Sequence, residues 1–252
     1  MSNPLVFSDL NSLVQVRIED TPIRLPRDQQ QLVDILWETE LREHPNWFRG
    51  EVFTIREIRQ GPERIEFALA RTDYAHYLAT LRGLIDPQLA CQVLYGAAVL
   101  RTRDNYLGFG EMGAETTYAG RLQGVGGGIS DDDIKDGQVD VAGGVLRELY
   151  EETGIPTSPL IPRWLKMGGP YHFVVVLYEA PLAMDLEALT LHYNQFVERL
   201  ASQGETPEFS RLITLPANPD AVSRFLSDDQ RARVDYLDGV LSRLARTTGS
   251  DA

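Results

Sequence analysis

One short stretch near the middle of the chain constrains the fold most: Arg147-Glu148-Leu149-Tyr150-Glu151-Glu152-Thr153-Gly154-Ile155. Its three glutamates are spaced by three and four residues or stand side by side, so on a helix they fall within an arc of roughly 100°. Neighbouring carboxylates on one face repel each other, and something must neutralise them. Carboxylate oxygens are the ligands that Mg²⁺ and Mn²⁺ prefer. The stretch therefore indicates a site for a hard cation.

The simpler interpretation of the same stretch is a solvated charged face, with Gly154 as the residue that ends the helix. Taken alone, the segment favours that interpretation. The run Gly126-Gly127-Gly128 lies upstream and follows an apolar approach, so the segment does not stand alone. A glycine turn before a carboxylate-rich helix is typical of a site that binds phosphate and metal together.

The stretch from Arg147 to Ile155 resembles the second half of the Nudix box, in which Arg-Glu is followed by an apolar residue, a Glu-Glu pair, a glycine and another apolar residue. Gly126-Gly127 resembles the glycines that open the box. The resemblance implies a Nudix fold, with Glu148, Glu151 and Glu152 as ligands of Mg²⁺ or Mn²⁺ and the peptide carbonyl of Gly127 as a further ligand.

The match is incomplete at the start of the box. At the family's usual spacing, a glycine and a glutamate would stand where this chain has Asp133 and Val139, and the loop after the opening glycines is longer than usual. In the family that glutamate pairs with the box arginine and braces the helix. Arg147 is therefore expected to find another partner, Asp136 or Asp140.

The chain is predicted to contain two domains. Residues 1–91 are expected to form a small α+β domain, and residues 92–252 a Nudix domain with a mixed sheet between helices, an α/β or α+β sandwich. Helices are predicted for Arg27–Glu43, Asp73–Leu81, Val139–Thr153, Asp185–Gln203 and Asp228–Arg246; strands are predicted for Val14–Ile18, Val52–Ile58, Arg64–Ala70, Val93–Arg101, Tyr106–Phe109, Pro162–Met167, His172–Tyr178 and Arg211–Leu215.

Charge limits the partners of this chain. With 37 acidic and 24 basic residues the net charge is −13, which argues against binding to a nucleic-acid polymer or to an anionic membrane. The run Asp131-Asp132-Asp133 is predicted to be a solvated acidic loop rather than a metal site. A small phosphorylated ligand would need metal or local basic groups.

The single cysteine and the hydropathy of the chain predict where in the cell the protein is located. Cys91 is the one cysteine and is expected to be a buried core thiol, which fits a reducing cytoplasm. No apolar run approaches the length of a membrane span, and the amino terminus lacks the pattern of a secretory signal, so a cytoplasmic location is predicted.

A second resemblance covers most of the chain in short pieces. The segments Ile35–Leu41, Thr72–Thr80 and Glu208–Ser210 are similar to those of the UDP-glucose-hydrolysing branch of Nudix proteins, whose members carry a comparable amino-terminal unit. This resemblance implies cleavage of a UDP-sugar to UMP and a sugar 1-phosphate. A general base would come from the carboxylates of the box or from Glu208 or Glu205 in a later loop, and Tyr74 or Tyr77 would stack on the base.

Two alternatives stay open at this point. The substrate could be ADP-ribose or another nucleoside diphosphate derivative, because an amino-terminal unit of this kind serves in homodimer formation as often as in substrate contact. The fold could also belong to a sensor or scaffold protein that has lost turnover. The retention of Glu148, Glu151 and Glu152 argues against that second alternative, since a site without catalysis has no need of three carboxylates that repel each other.

Overall fold

The computed structural model describes residues 4–156, 159–170 and 173–247. The chain forms two compact units, each built from separate stretches: Met1–Gly96, Gly128–Gly144 and Trp164–Val176 make the first, and Ala97–Gly127, Val145–Arg163 and Leu177–Ala252 make the second. The first unit contains the whole predicted amino-terminal domain, and the division of domains after residue 91 stays a prediction.

The described residues form both strands and helices. The strands are β1 (Val6–Asp9), β2 (Leu13–Ile18), β3 (Glu51–Gln60), β4 (Arg64–Asp73), β5 (Val93–Arg101), β6 (Tyr106–Met112), β7 (Leu122–Gln123), β8 (Val125–Gly128), β9 (Ile134–Lys135), β10 (Gln138–Val139), β11 (Ile161–Met167), β12 (Phe173–Pro181) and β13 (Phe209–Pro216). The helices are α1 (Arg27–Glu43), α2 (Tyr74–Leu81), α3 (Val141–Thr153), α4 (Leu186–Gln203), α5 (Pro219–Asp228) and α6 (Leu237–Leu244).

The strands of the first unit pair in both directions, and its helices α1 and α2 pack against each other. The strands β3 and β4 form an antiparallel hairpin, and β2 lies parallel to β4 on its other side. Helix α2 begins where the Asp73 carboxylate accepts a hydrogen bond from the His76 amide at 2.9 Å. Val33 and Trp37 of α1 are buried in one apolar cluster with Ala75 and Ala79 of α2. Because strand pairs of both directions occur, the predicted mixed sheet with helices is confirmed.

In the second unit, β6 pairs with three other strands. It pairs antiparallel with β13 along its whole length, from Tyr106↔Pro216 to Met112↔Phe209, and with β7 at Gly110↔Gln123 and Glu111↔Leu122. Its first half also pairs with β5 at Leu100↔Gly108. This arrangement places the loop before β13 at the same end of the sheet as the turn that leads from β6 into β7.

The prediction of one closing helix from Asp228 to Arg246 is wrong. The structure has α5 before this range and α6 inside it. The signals for α5 are local: Asn218 accepts a hydrogen bond from the Ala221 amide, and Pro219 occupies the first turn. Between the two helices the chain is irregular, because the Val234 amide donates to the Leu122 carbonyl of β7 at 2.9 Å instead of bonding within a helix.

The acidic run before β9 is only partly the solvated loop that was predicted. Asp131 is exposed and forms an ion pair with Arg71 at 3.0 Å. Asp133, by contrast, is 5% exposed, and its carboxylate accepts hydrogen bonds from the backbone amide and the hydroxyl of Ser130 at 2.8 and 3.0 Å. For Asp133 the prediction is wrong, because these local donors replace water around the carboxylate.

Two further predictions concern membranes and cysteine. Within the ranges that the structure describes, every helix is too short or too polar to cross a membrane. Cys91 is buried, as predicted, and burial raises the pKa of its thiol to about 12.

Candidate active site

Helix α3 carries a carboxylate on its buried face. The residues that this helix buries recur at helical spacing, at Val141, Val145, Leu149 and then Glu152, which is 2% exposed. Glu152 therefore occupies a position that the spacing assigns to an apolar side chain. Glu148 lies one turn earlier with 18% of its side chain exposed, and Glu151 lies on the solvent side with 52% exposed.

The glycine strand β8 supplies the surface against which these carboxylates lie. The Gly126 amide donates a hydrogen bond to Oε2 of Glu152 at 3.0 Å. Gly126 has φ of 139°, a conformation that residues with a side chain rarely adopt. A Cβ at Gly127 would come within 3.0 Å of Oε1 of Glu148. Both glycines are thus needed, the first for its backbone conformation and the second for the close approach of a carboxylate.

A buried tyrosine fixes the strand that enters this turn. The Gly124 amide donates to the hydroxyl of Tyr236 at 3.2 Å, and a Cβ at Gly124 would lie 2.6 Å from the Ala98 carbonyl oxygen. Tyr236 is 5% exposed, and burial raises the pKa of its hydroxyl, with the charge of Glu152 acting in the same direction. The sequence alone does not reveal this role of Tyr236, because the residue precedes α6 far from the glycines and carries no motif.

Arg147 pairs with the carboxylates of its own helix. Its guanidinium lies 3.0 Å from Oε1 of Glu148 and 2.9 Å from Oε2 of Glu151, four residues on. Two glutamates of the site are therefore partly neutralised and held in place by one arginine. The ion pair with Glu151 follows from helical spacing, which the sequence displays.

Glu208 comes to the site from the loop before β13. The backbone carbonyl of Glu208 accepts a hydrogen bond from the Gly113 amide at 2.7 Å, which ties this loop to the end of β6. Although Glu208 as a whole is exposed, partial desolvation of its carboxyl and the charge of Glu151 raise its pKa. Glu205, the alternative predicted base, lies just after α4, where its amide bonds to the Leu200 carbonyl at 2.9 Å.

The carboxylates act on one another. Burial raises the pKa of Glu152 well above its ordinary value, and the charges of Glu208 and Glu148 raise it further. Burial is also the main cause that raises the pKa of Glu148, with Glu151 and Glu208 adding to it and Arg147 opposing it. Four carboxylates thus act on one another, and Arg147 is paired with two of them, Glu148 and Glu151.

This donor set fits a hard cation in chemistry and charge. It offers carboxylate oxygens with more negative charge than Arg147 neutralises, and one of its members is buried. Within residues 4–156, 159–170 and 173–247, no three acidic, histidine or cysteine side chains converge closely enough to form a complete metal site by themselves. A cation here would complete its coordination with water, backbone or substrate oxygens, as Mg²⁺ commonly does.

The two predicted substrate-binding tyrosines lie in the first unit. Tyr74 makes edge contacts with Trp37 at 6.3 Å and Trp47 at 6.1 Å between ring centroids, and it also contacts Tyr77. Tyr77 is 7% exposed. Both side chains therefore contribute to aromatic packing in this unit, and stacking on a nucleobase stays a prediction.

A groove of about 360 Å³ lies beside α4 and β13 in the second unit. Tyr193 lines it and donates a hydrogen bond through its hydroxyl to the Phe209 carbonyl at 2.6 Å. Burial, and after it the charge of Glu152, raises the pKa of this hydroxyl. Tyr193 thus connects the helix α4 to the strand that follows Glu208.

No protein-family model and no curated protein sequence matches this chain. Among solved structures it is similar to a MutT protein from Methanosarcina mazei Go1, with 14% identity, a TM-score of 0.40 and coverage of 62% of this chain and 94% of that one. It is similar to the NUDIX domain of Shewanella oneidensis NrtR, solved in complex with ADP ribose, with 18% identity, a TM-score of 0.38 and coverage of 69% and 97%.

A NUDIX-family hydrolase from Clostridium perfringens is similar at 11% identity and a TM-score of 0.39, with coverage of 61% of this chain and 96% of that one. TM-scores of this size do not assign the chain to a family.

Proposed function

We propose that this protein is a Nudix-type hydrolase that cleaves the diphosphate linkage of a nucleoside diphosphate derivative with the help of Mg²⁺ or Mn²⁺. One observation carries the proposal: Glu152 is a carboxylate buried on the core-facing side of α3, where it accepts a hydrogen bond from the glycine strand and is repelled by Glu148 and Glu208. An apolar residue would be more stable at this position, so retention of a charge there points to chemistry.

The residues that would hold the metal are Glu148, Glu151 and Glu152, together with the peptide carbonyl of Gly127. When bound, the metal supplies positive charge that neutralises phosphoryl oxygens and lowers the pKa of a bound water. Glu148 and Glu152 support this assignment through their contacts with Gly127 and Gly126. Glu151 supports it less directly, because one of its oxygens is paired with Arg147.

The protein's own groups would orient and deprotonate the attacking water. Glu208 is the preferred general base, because it is accessible and its raised pKa brings it closer to neutrality, where a base works best. Arg147 holds Glu148 and Glu151 in position. In the overall reaction, water adds to one phosphorus, the bridging P–O bond breaks, and the leaving phosphate carries away the bonding electron pair.

A UDP-sugar is the proposed substrate, with UMP and a sugar 1-phosphate as products. Support for it comes from the segments Ile35–Leu41, Thr72–Thr80 and Glu208–Ser210, which resemble the UDP-glucose-hydrolysing branch. ADP-ribose is the alternative, since hydrolysis of its diphosphate would use the same carboxylates.

The proposal is tested by measuring product release from UDP-glucose, UDP-galactose, ADP-ribose, NADH, diadenosine polyphosphates and nucleoside triphosphates, each with Mg²⁺ and with a chelator. We expect metal-dependent release of UMP from UDP-sugars. The double change Glu151→Gln and Glu152→Gln should lower turnover by at least a hundredfold, because it removes two oxygen ligands without changing side-chain size. Glu187→Gln, on the exposed first turn of α4, is the matched control and should keep full turnover.

The possible outcomes separate the alternatives. A preference for ADP-ribose would support the proposed hydrolysis of a diphosphate and contradict a UDP-sugar as the substrate. Absence of turnover with every compound, combined with measurable binding of a nucleoside diphosphate, would favour a sensor. Unfolding of the double variant would instead mean that the glutamates serve the fold.

A further inference from the structure

Arg121 differs from the other arginines around the candidate site in its partners. Arg147, Arg211 and Arg231 each form ion pairs with carboxylates. Arg121 instead donates from Nη2 to the amide oxygen of Gln123 at 2.6 Å. Within the part of the chain that the structure describes, Arg121 has no carboxylate partner, although the chain carries a net charge of −13.

The guanidinium of Arg121 is held in place and incompletely bonded. Its central carbon lies 3.7 Å from the centroid of the Tyr118 ring, so the cation is stacked on an aromatic face. Its Nε is buried and, among the described residues, has no hydrogen-bond partner. An unsatisfied donor on a buried, charged group costs free energy, and this cost is recovered when a ligand accepts the hydrogen bond.

The backbone places Arg121 beside the strand that leads to the glycine turn. The Arg121 carbonyl accepts a hydrogen bond from the Met112 amide at 2.9 Å. Leu122, the next residue, is fully buried, and side chains alternate along a strand, so Arg121 and Gln123 share the opposite face. Gln123 is followed by Gly124, whose amide binds the Tyr236 hydroxyl at 3.2 Å.

Tyr236 connects Arg121 electrostatically to the carboxylates. The charge of Arg121 lowers the pKa of the Tyr236 hydroxyl, and the charge of Glu152 raises it. Both charges therefore act on one buried hydroxyl. Carboxylates and an arginine without a carboxylate partner that both act on this tyrosine suit a ligand that brings a metal-bound phosphate and a second phosphate.

We propose that Arg121, stacked on Tyr118, binds an anionic phosphate oxygen of a nucleoside diphosphate substrate. This inference rests on the proposed function and deepens it, because it names the cation that offsets substrate charge in an acidic site. The guanidinium fork matches two oxygens of a phosphate group, and Nε is one of the donors of that fork. Gln123 and Tyr118 orient the fork before the ligand binds.

The test measures binding rather than turnover, with UDP, ADP and the uncharged nucleoside uridine as probes in titration calorimetry. We expect Arg121→Gln to weaken the binding of UDP and ADP at least tenfold, and to leave any binding of uridine unchanged. Arg121→Lys should recover part of the affinity, since it restores the charge without the fork. Tyr118→Leu should weaken binding less than Arg121→Gln, because it removes orientation and keeps the charge.

Arg199→Gln is the matched control. Arg199 is exposed and lies 5.3 Å above the ring of Phe196 on α4, so it is also an arginine stacked on an aromatic ring, and it lies outside the candidate site. This variant should bind UDP like the natural protein. Urea unfolding midpoints of all variants would show whether they remain folded.

Unchanged UDP affinity in Arg121→Gln would overturn the inference, as would equal losses in Arg121→Gln and Arg199→Gln or failure of the natural protein to bind any nucleoside diphosphate. If UDP binds in an Arg121-dependent way but no diphosphate is hydrolysed, the proposed function fails while the binding site stands. If hydrolysis occurs and Arg121→Gln changes neither KM nor affinity, the inference about Arg121 fails while the proposed function stands.

Discussion

At the scale of single residues, Glu152 shows how a functional site competes with stability. Its backbone position belongs to the buried face of α3, where Val145 and Leu149 precede it. A hydrogen bond from the Gly126 amide favours its ionised form, whereas burial and the neighbouring carboxylates disfavour it. The same electrostatic cost that makes this carboxylate unfavourable for folding would favour a bound cation beside it, as the proposed function requires.

The change Glu152→Gln is expected to stabilise the protein at pH 7.5 by about 1–3 kcal/mol when divalent metal is chelated. Because the native pKa of Glu152 is raised above 4.5, the unfolded state ionises first. The stability of the natural protein should therefore fall as pH rises above 4.5, and the loss should persist above the native pKa. The Glu152→Gln variant has no ionisable group at this position, so it does not show this loss of stability.

Urea unfolding of both proteins at pH 4.5 and pH 7.5, with chelator present, measures the effect. The free energies of unfolding should be similar at the lower pH and should differ in favour of the variant at the higher pH. Glutamine keeps the acceptor for the Gly126 amide, so only the charge is tested. A variant that is less stable at pH 7.5 would show that Glu152 is already neutralised in the metal-free protein.

At the scale of elements, α3 and α4 both end at a glycine, but the two glycines have different surroundings. Gly154 ends α3 with φ of 73°, and Gly204 ends α4 with φ of 75°. Both residues adopt the left-handed conformation that glycine favours at helix ends. At Gly154 an added Cβ would come within 2.5 Å of Cδ2 of Phe196, whereas at Gly204 no atom lies within 4 Å. Gly154 therefore also sets how closely α3 approaches α4.

Gly154→Ala and Gly204→Ala form a matched pair. Gly204→Ala should cost about 1–2 kcal/mol for the left-handed conformation alone. Gly154→Ala should cost a further 1–3 kcal/mol, roughly, because Phe196 must move to make room. Thermal or urea unfolding of both variants measures the difference, and equal losses would show that Phe196 moves freely.

The helix end also affects the site, since Gly154 follows Glu152 by two residues. Displacement of Phe196 would shift the last turn of α3 relative to α4, which also carries Tyr193. Turnover of Gly154→Ala is therefore expected to fall more than turnover of Gly204→Ala.

At the scale of the whole molecule, a buried ion network fixes the carboxyl-terminal part of the second unit. Glu179 of β12 is 3% exposed and pairs with Arg101 of β5 at 2.5 Å and with Arg163 of β11 at 2.7 Å. Arg101 also donates to the Leu244 carbonyl at the end of α6, at 2.9 Å. One carboxylate thus holds two arginines, and one of them reaches the last helix.

Glu179→Gln is expected to destabilise the protein by about 3–5 kcal/mol, because it leaves buried guanidinium charge without its counter-charge. The measurement is the urea unfolding midpoint at pH 7.5. Arg103→Gln is the control: Arg103 pairs with Asp185 at 2.7 Å, but both partners are solvent-accessible, so the loss should be at most about 1 kcal/mol. Similar losses of unfolding free energy in the two variants would show that burial does not make the ion pairs of Glu179 more important for stability than an exposed pair.

The sequence by itself determined the elements whose signals are local. Hydrophobic periodicity and caps predicted α1 and β5 with the bounds that the structure shows, and α2 and α4 within one residue at their first turns. For Arg147 the sequence predicted Asp136 or Asp140 as the partner, whereas the structure shows ion pairs with Glu148 and Glu151 of the same helix. The carboxylate stretch and its glycine stop were evident because their chemistry depends on neighbours a few residues away.

Only the tertiary structure decided which of these residues come together. The burial of Glu152 depends on packing of α3, the position of Glu208 depends on the pairing of β13 with β6, and Tyr236 reaches Gly124 across 112 positions of sequence. Arg121 has no motif, and its incomplete hydrogen bonding exists only in the folded chain. Contacts between distant residues leave no periodic trace in the sequence, so the carboxylates of α3 could be predicted from it as candidate metal ligands and the groups around them could not.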